Sequence, residues 1–437
     1  MSHMKCIKTP VKGMNDFLPS DMRMREHLLG LIKDTSASYG FMQIETPVME
    51  HIENLTSKQG GDNEKLIFKV LKRGAELERA MAGGRGDLAD NGLRYDLTVP
   101  LARYYANNKE KLPSPFKSLQ IGNVWRADNP QKGRFRQFTQ CDIDILGDET
   151  NLAEIELIAA TADILSRIFI EAGITEFTVH VNDRRILRAA ALGAGFREDD
   201  VGPVLITLDK LDKLGTDGVG KELTARGYPE ETVGRYLSLY GHHGPYVPYG
   251  HPRENVSCQE FCENMDQDWL PAGTARNIDE ILTGVRAMAN PGVSVTFDPA
   301  LVRGMGYYTG PIFEIGIDGY GFSIAGGGRY DALIGNFCGL DVCASGFSIG
   351  FERIITILKD APGGNVGVGA KSKVFFIDQT VPLEQKLAIF TQAKNLRQEG
   401  VMVSIQPLRK NAKAQIEKLE SEGFSDFQKV YKRSADR

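Results

Sequence analysis

The sequence predicts an α+β protein, in which clustered strands surround a helical insertion and a small α/β domain follows. Strand-like segments lie close together at residues 118–146 and again at 293–325, with short loops between them. The stretch from Arg184 to about Asn290 is helical instead and differs in composition from its neighbours. After a Gly-rich segment at 361–373, a strand, a helix and a strand follow in the order of a βαβ unit. Clustered strands argue against one doubly wound sheet.

These changes in secondary-structure pattern and composition divide the chain into parts. A chain of 437 residues exceeds the size at which one hydrophobic core usually stops growing, about 250–300 residues. The predicted parts are a core formed by residues 5–176 and 291–360, an inserted domain at 177–290, a linker at 361–373 and an α/β domain at 374–437.

The N-terminal elements are predicted from the spacing of apolar residues. Leu28 and Ile32 lie on one face of a helix that Gly40 ends. Residues 66–71 alternate as a strand does. The segment 73–91 is rich in Gly, Ala and charged residues, which is typical of a mobile loop.

Later elements follow the same rules. Residues 152–172 form the best amphipathic helix in the chain, which begins after Asn151 and ends before Gly173. The remaining strand predictions are 177–181, 293–297, 312–317, 322–325 and a strand beginning at Phe347 that leads into a helix.

Composition excludes several classes of protein. The formal charge is −5, and no run of about 18 apolar residues predicts a membrane-spanning helix, so we expect a cytoplasmic protein without membrane contact. Six cysteines in this length do not form a disulfide framework. Cys258 and Cys262, with three histidines upstream, match no familiar zinc spacing, so a structural role is favoured over metal binding.

The segment 120–147 carries the strongest chemical signal. Four basic residues surround its central loop: Arg126, Lys132, Arg134 and Arg136. Two strands joined by such a loop would direct several guanidinium groups at one polyphosphate, although a solvated basic loop is the simpler alternative. Alternation in the second strand then places Gln140, Asp142 and Asp144 on one face, which suits an ammonium group or ordinary surface polarity.

Two later segments add aromatic and basic groups. Residues 301–310 contain Arg303, Tyr307 and Tyr308, and residues 325–331 contain three successive glycines followed by Arg-Tyr-Asp. Glycines at a strand end permit close approach of a ligand to the backbone, or form a tight turn. Residues 346–354 run from a strand into a helix that presents Arg353.

Together these segments resemble the histidyl-tRNA synthetases, a family of class II aminoacyl-tRNA synthetases. Residues 12–19 are similar to the opening motif of the family, and Ile44-Glu-Thr-Pro-Val48 is similar to motif 1. Residues 93–100 resemble a histidine-site strand. The other matches are 120–147 with motif 2, 301–310 and 325–331 with the two histidine signatures, and 346–354 with motif 3.

The resemblance implies a class II antiparallel-sheet core, a homodimer formed through motif 1, and the substrates L-histidine, ATP with Mg²⁺, and tRNA(His). It implies that the histidine site comprises Asp96, Leu97, Thr98, Gln140, Asp144, Arg303, Tyr307, Tyr308 and Tyr330. Arg126, Arg134 and Arg353 would bind ATP, and Arg303 and Arg126 would stabilise the reacting phosphate. A carboxylate is already a nucleophile, so catalysis would consist of in-line positioning and charge stabilisation.

Three departures from the family pattern stand out. Met14-Asn15 replaces the usual Thr-Arg of the opening motif, and Gly306 occupies a position where the first histidine signature usually has Asp. The α/β domain is shorter than we expect of the anticodon-binding domain. A shortened domain fits a rival, the non-catalytic regulatory subunit of ATP phosphoribosyltransferase, but the complete set of site residues favours the enzyme. A general RNA-binding protein has no stacking or basic-stripe signature in its favour.

Overall fold

A computed structural model describes most of the chain and contains two compact units. The described residues are 7–56, 61–83, 88–131, 133–241, 257–304, 306–339, 342–361 and 371–432. One unit comprises Met1–Asn15 and Leu31–Ala361, and the other comprises Asp16–Gly30 and Pro362–Arg437. None of the helices in the described part of the chain is both long and apolar enough to span a membrane.

The strands lie in three sheets. In chain order they are β1 (Met42–Ile44), β2 (Met49–His51), β3 (Lys69–Leu71), β4 (Ala89–Leu93), β5 (Phe116–Trp125), β6 (Gln137–Leu146), β7 (Phe177–Asp183), β8 (Val293–Phe297), β9 (Pro311–Gly316), β10 (Ala325–Arg329), β11 (Ala344–Gly350), β12 (Ser372–Ile377), β13 (Met402–Pro407) and β14 (Asp426–Val430). The largest sheet has the order β1-β5-β6-β11-β10-β9-β7-β8. Its two edge pairs are parallel and its five inner pairs are antiparallel.

The helices lie between these strands. They are α1 (Pro19–Ser38), α2 (Ile52–Thr56), α3 (Gly74–Ala82), α4 (Thr98–Asn108), α5 (Leu152–Ile170), α6 (Arg184–Ala194), α7 (Val201–Leu208), α8 (Leu211–Ala225), α9 (Glu230–Gly241), α10 (Cys258–Glu263), α11 (Thr274–Met288), α12 (Asp331–Cys338), α13 (Phe351–Asp360), α14 (Leu383–Gln398) and α15 (Ala412–Ser421).

The eight-stranded sheet has one apolar and one polar face. Alternation in β6 sends Cys141, Ile143 and Ile145 to the apolar face, where each is buried. Helix α5 packs over the middle of the sheet and helix α11 packs over β7 and β8. The burial of these side chains stabilises the core by about 1.5–3 kcal/mol for each large aliphatic residue. The opposite face is thereby left for polar side chains.

A buried ion pair joins the middle of this sheet to α5. Arg329, the last residue of β10, donates from Nε and Nη2 to the two carboxylate oxygens of Glu154 at 2.8 and 2.9 Å. Its remaining donors reach the carbonyl oxygens of Asp148 and Thr150 at 3.1 and 2.9 Å. Glu154 is completely buried, and burial raises the pKa of its carboxyl although Arg329 opposes that shift. The pair therefore satisfies two charges that water cannot reach.

The second unit contains a three-stranded parallel sheet in the order β13-β12-β14. Its core includes Phe375, Ile377, Val381, Ala393 and Val430. The predicted strand, helix and strand at the start of this domain are β12, α14 and β13. The structure adds α15 and β14, which the sequence analysis did not predict.

Several expectations from the sequence need correction. The segment 73–91 was expected to be a mobile loop, but it contains helix α3 and most of strand β4; its residues 84–87 lie outside the described residues. The strand expected at 322–325 begins at Ala325, so the three glycines lie within β10 and not at its end. Strand β7, assigned to an inserted domain at 177–290, pairs with β8 and β9, so the helical segment begins after it. Residues 362–370 of the linker lie outside the described residues.

We predict that Arg329→Met lowers the free energy of unfolding by about 3–5 kcal/mol, because it leaves the Glu154 carboxylate buried without its partner. Urea denaturation at pH 7 measures this change. The control is Arg197→Met, which removes an exposed pair with Asp200 and is expected to leave the free energy of unfolding nearly unchanged, because water screens exposed pairs. Equal effects of the two variants would contradict the role of the buried pair.

Candidate active site

The polar face of the eight-stranded sheet forms one wall of a cavity of about 530 Å³. Eleven of the twelve residues predicted for the site line it: Asp96, Thr98, Arg126, Arg134, Gln140, Asp144, Arg303, Tyr307, Tyr308, Tyr330 and Arg353. Leu97 is the exception. Its side chain is 1% exposed, and its carbonyl oxygen accepts a hydrogen bond from Gln120. Leu97 therefore packs behind the cavity and does not line it.

Three polar residues of β6 face the cavity, as its alternation predicts. Asp144 accepts a hydrogen bond of 2.6 Å from the hydroxyl of Tyr330. Asp142 accepts one of 2.6 Å from Ser348 on β11, and Gln140 donates to the same serine at 2.6 Å. Oδ2 of Asp144 and Oε1 of Gln140 are buried acceptors without a hydrogen-bond donor. Since buried acceptors are usually satisfied, this region suits a ligand that carries N–H groups.

Burial makes the carboxylates of β6 difficult to ionise. It raises the pKa of Asp144 to about 7, although the hydrogen bond from Tyr330 opposes the shift. Burial, together with the neighbouring Asp144, also raises the pKa of Asp142 well above its usual range. A cation that enters this region would favour the ionised forms. The carboxylates are therefore suited to a positively charged ligand.

Aromatic rings form part of the wall beside these acids. The ring centroids of Tyr307 and Tyr308 lie 4.8 Å apart, and those of Tyr307 and Tyr330 lie 5.9 Å apart, in edge-to-face geometry. Asp96 accepts a hydrogen bond of 3.1 Å from the backbone N–H of Val99 in the first turn of α4. This bond fixes the Asp96 carboxylate at the start of the helix.

Three arginines reach the cavity with their guanidinium groups already oriented. Arg126 donates to the carbonyl oxygen of Tyr95 at 3.1 Å, and its guanidinium carbon lies 4.3 Å from the centre of the Tyr95 ring. Arg134 pairs with Asp128 at 2.9 Å. Arg353 donates to the carbonyl oxygen of Ser323 at 2.7 Å. Anchored, stacked guanidinium groups lose little entropy when they bind phosphate.

Arg303 is held differently, by a carboxylate on the sheet. Its Nη1 donates to Glu314 on β9, and its guanidinium lies against Gly326 on β10. A Cβ atom at position 326 would lie 2.2 Å from Nη1, so only glycine leaves room for this arginine. Nε of Arg303 is buried without a hydrogen-bond acceptor. One donor of this cation thus remains for a ligand oxygen.

The structure adds residues that the site prediction missed. Glu314, Ser348 and Asp128 contact predicted residues directly, and the helical segment contributes Asp209, Asp212 and Lys213 to the cavity lining. Glu314 is the one charged residue of the otherwise apolar strand β9, and that contrast could have identified it. Lys132, predicted to be part of the basic loop, lies outside the described residues.

The arrangement can bind an ammonium group and a polyphosphate in one cavity. Among the described residues, no cluster of three or more His, Cys, Asp or Glu side chains is suited to hold a metal ion. Cys258 and Cys262 are buried on α10 with their Sγ atoms 4.0 Å apart, and the histidines upstream of them lie outside the described residues. The described residues of the cavity therefore offer groups suited to an amino acid and a nucleotide.

The antiparallel sheet and its polar cavity define the catalytic core of a class II aminoacyl-tRNA synthetase. A family model described as histidyl-tRNA synthetase matches residues 13–354. The chain belongs to the histidyl-tRNA synthetase family.

Individual relatives agree with this assignment. A protein of Leifsonia xyli subsp. xyli (strain CTCB07) named histidine–tRNA ligase is 44% identical over 427 residues, which cover 96% of this chain and 94% of that protein. A probable histidine–tRNA ligase of Tropheryma whipplei (strain Twist) is 40% identical with the same coverage. The crystal structure of histidyl-tRNA synthetase from Nostoc sp. PCC 7120 aligns with a TM-score of 0.75 at 26% identity, over 96% of this chain and 90% of that one.

We predict that Asp144→Asn reduces the pH dependence of stability in the ligand-free protein. The folded-state pKa of about 7 exceeds the ordinary value of 3.8, so the folded state binds the proton more tightly than the unfolded state. Stability from this group is present below pH 4 and is lost as the pH rises through 7, by at most about 4 kcal/mol.

Urea denaturation at pH values between 5 and 8 measures the effect. The wild-type protein should lose stability over this range, and Asp144→Asn should lose less of it. Asp163→Asn, on α5 and outside the cavity lining, is the control and should retain the wild-type slope. Parallel curves for wild type and Asp144→Asn would refute the assignment.

Proposed function

We propose that this chain is a histidine–tRNA ligase, which activates L-histidine with ATP and transfers it to the 3′ end of tRNA(His). The proposal rests on the cavity, in which residues predicted to bind the substrate histidine lie together with four arginines suited to binding phosphate. The relatives from Leifsonia xyli and Tropheryma whipplei, named histidine–tRNA ligase and probable histidine–tRNA ligase, support the same reaction.

Histidine would bind to the acidic and aromatic part of the cavity. Asp96, Thr98 and Gln140 would hold its α-ammonium group, while Asp144 and Tyr308 would bind its imidazole. Tyr307 and Tyr330 line the same region, and Tyr330 positions Asp144 through its hydroxyl. The ammonium group would donate hydrogen bonds to the buried carboxylates and provide the opposite charge that stabilises their ionised forms.

ATP would bind across the arginines. Arg126 would contact the α-phosphate, and Arg353, with Arg134, would contact the γ-phosphate. The histidine carboxylate oxygen then attacks the α-phosphorus, the bond to the bridging oxygen breaks, and pyrophosphate leaves with that electron pair. Arg303 would stabilise the charge that develops on the α-phosphate opposite the attacking oxygen. No general base is required, because the nucleophile is already an anion.

The second step would form the aminoacyl ester. A ribose hydroxyl of the terminal adenosine of tRNA attacks the carbonyl carbon of the adenylate, and AMP leaves. Residues 401–437 contain eight Lys or Arg and five Asp or Glu, which fits contact with RNA by the C-terminal domain. Magnesium would enter with the phosphates of ATP and neutralise charge on them, since the described residues offer no separate cluster for it.

A regulatory subunit of ATP phosphoribosyltransferase is the second candidate. A Bacillus halodurans protein described as an ATP phosphoribosyltransferase regulatory subunit/histidyl-tRNA synthetase aligns with a TM-score of 0.75, but at 20% identity this shows a shared fold alone. A protein that only binds histidine does not need Arg126, Arg134, Arg303 and Arg353 in one cavity. The arginines favour the enzyme.

We predict that the purified chain catalyses histidine-dependent exchange of pyrophosphate into ATP without tRNA, and that Arg303→Ala lowers this exchange by at least about 100- to 1,000-fold. The cause is loss of the cation at the α-phosphate. Calorimetry should show that Arg303→Ala retains histidine binding, and Arg188→Ala, which removes an exposed pair with Glu198, is the matched control with wild-type exchange.

Two outcomes of this experiment would contradict the proposal. Histidine binding without exchange in the wild-type chain would favour the regulatory subunit. Loss of histidine binding in Arg303→Ala, with normal chemistry in the bound fraction, would contradict the catalytic role of that arginine.

We also propose that the protein is a cytoplasmic homodimer formed through the motif 1 segment. Support comes from exposed apolar side chains in and beside this segment: Met42, Val48 and Met49 are 42, 41 and 49% exposed. They lie on or next to β1, an edge strand of the large sheet, and on β2. Edge strands with exposed apolar groups are candidates for pairing between subunits.

We predict that Val48→Asp with Met49→Asp converts the dimer to a monomer, because it places two charges in the interface. Sedimentation equilibrium measures the mass. Ile206→Asp, on an exposed face of α7, is the matched control and should remain dimeric. A wild-type monomer, or an unchanged dimer in the double variant, would contradict the proposed interface.

A further inference from the structure

A row of directly opposed residues crosses the large sheet on its polar face. From β8 to β1 its members are Thr296, His180, Glu314, Gly326, Ser348, Asp142, Gln120 and Ile44. Directly opposed residues in a sheet have Cβ atoms about 4.5–5.5 Å apart, so their side chains interact. The proposed catalytic arginine lies on this row, because the Arg303 guanidinium rests on Gly326 and bonds to Glu314.

Glu314 is central to how Arg303 is held. Burial disfavours the charge on Arg303, but the interaction with Glu314 outweighs it and raises the pKa of the guanidinium. At position 306, where the first histidine signature of the family usually has Asp, this chain has glycine and therefore no carboxylate. Within the described part of the chain, Glu314 is the carboxylate paired with Arg303. The position of Glu314 thus determines where the catalytic cation lies.

His180 lies directly beside Glu314 on the neighbouring strand. The side chain of His180 is 11% exposed, and its Nδ1 lies 3.2 Å from Oδ2 of Asp298, which follows β8. The titratable groups that face it are Asp298, Glu314 and Asp318; Thr296 is its uncharged neighbour on β8. Burial disfavours the imidazolium, but Asp298 and the other two carboxylates outweigh it and raise the pKa of His180.

We infer that His180 is a positioning residue, which holds Glu314 from the neighbouring strand and thereby fixes Arg303 at the α-phosphate. In this arrangement Glu314 lies between two cations, one on β7 and one over β10. Asp298 orients the imidazole from the other side. This role rests on the proposed function, and it assigns to β7 a part in adenylate formation without contact with either substrate.

A double-mutant cycle on pyrophosphate exchange tests the inference. Glu314→Gln removes the charge that Arg303 and His180 share, and His180→Gln keeps a polar side chain without the imidazolium. We expect His180→Gln to lower kcat by about 3- to 30-fold and Glu314→Gln by more, with the KM for histidine changed less than about twofold. The double variant should be no slower than Glu314→Gln, because His180 acts through Glu314.

The matched control is Thr178→Val, two residues earlier on the same face of β7, which should leave kcat unchanged. The pH profile gives a second readout that a merely structural role would not change. Wild-type kcat should fall as the pH rises through the pKa of His180, and that fall should be absent in His180→Gln. Multiplicative losses in the double variant, or a kcat of His180→Gln equal to that of the control, would overturn the inference.

An NMR titration of the His180 ring separates this inference from the proposed function. Glu314→Gln should lower the pKa of His180 by about one unit, because a neighbouring carboxylate favours the imidazolium. An unchanged titration overturns the contact itself. A wild-type chain that shows this coupling but no histidine-dependent exchange would refute the proposed function, and with it the catalytic consequence, while supporting the contact between His180 and Glu314.

Discussion

The close packing around strand β10 is the constraint on which the site depends. A Cβ atom at Gly327 would lie 2.0 Å from the carbonyl oxygen of Gly346, and one at Gly328 would lie 2.6 Å from that of Pro311. Gly328, like Gly326, leaves no side chain between the cavity and the backbone of β10, whereas Gly327 permits close packing against Phe313 on the opposite face of the sheet. Arg303 and Tyr308 then occupy the space above Gly326 and Gly328. Glycine weakens a strand by itself, so antiparallel pairing on both sides has to stabilise β10.

The buried charges of the polar face explain how one cavity can suit both an ammonium and a phosphate. Asp142 and Asp144 are desolvated and repel each other; Asp142 accepts hydrogen bonds from the Ser348 hydroxyl and, at 3.4 Å, from the Gln140 amide, and Asp144 accepts one from the Tyr330 hydroxyl. The arginines are held instead by carbonyl oxygens, aromatic rings and carboxylates. Burial raises the pKa of Asp144 to about 7, so Asp144 is only partly ionised near neutral pH without a ligand, and a bound cation would favour its ionised form. Binding and protonation are therefore coupled in this part of the site.

Local patterns predicted the parts of the site that lie on one element. Alternation in β6 was sufficient to place Gln140, Asp142 and Asp144 on one face, and the basic loop indicated Arg126 and Arg134, whose roles came from the resemblance to the family. The same patterns were wrong at 73–91, where a polar, Gly-rich composition conceals helix α3, and at the glycine run, where low strand propensity conceals β10. Tertiary pairing outweighs propensity in both places. The sequence could not provide the register of β7 against β9, and so it could not reveal that His180 and Glu314 are neighbours.

Gly306, which replaces the usual Asp of the family signature, changes which part of the structure can support Arg303. A carboxylate at position 306 would lie in an irregular segment between β8 and β9, whereas Glu314 lies within a strand that is paired on both sides. Side chains on paired strands are held in position more precisely than side chains on loops. A chain that supports Arg303 from β9 therefore depends less on the loop and more on the sheet register. Residues remote from the proposed substrate sites, such as His180 on β7, would then contribute to the position of the proposed catalytic cation.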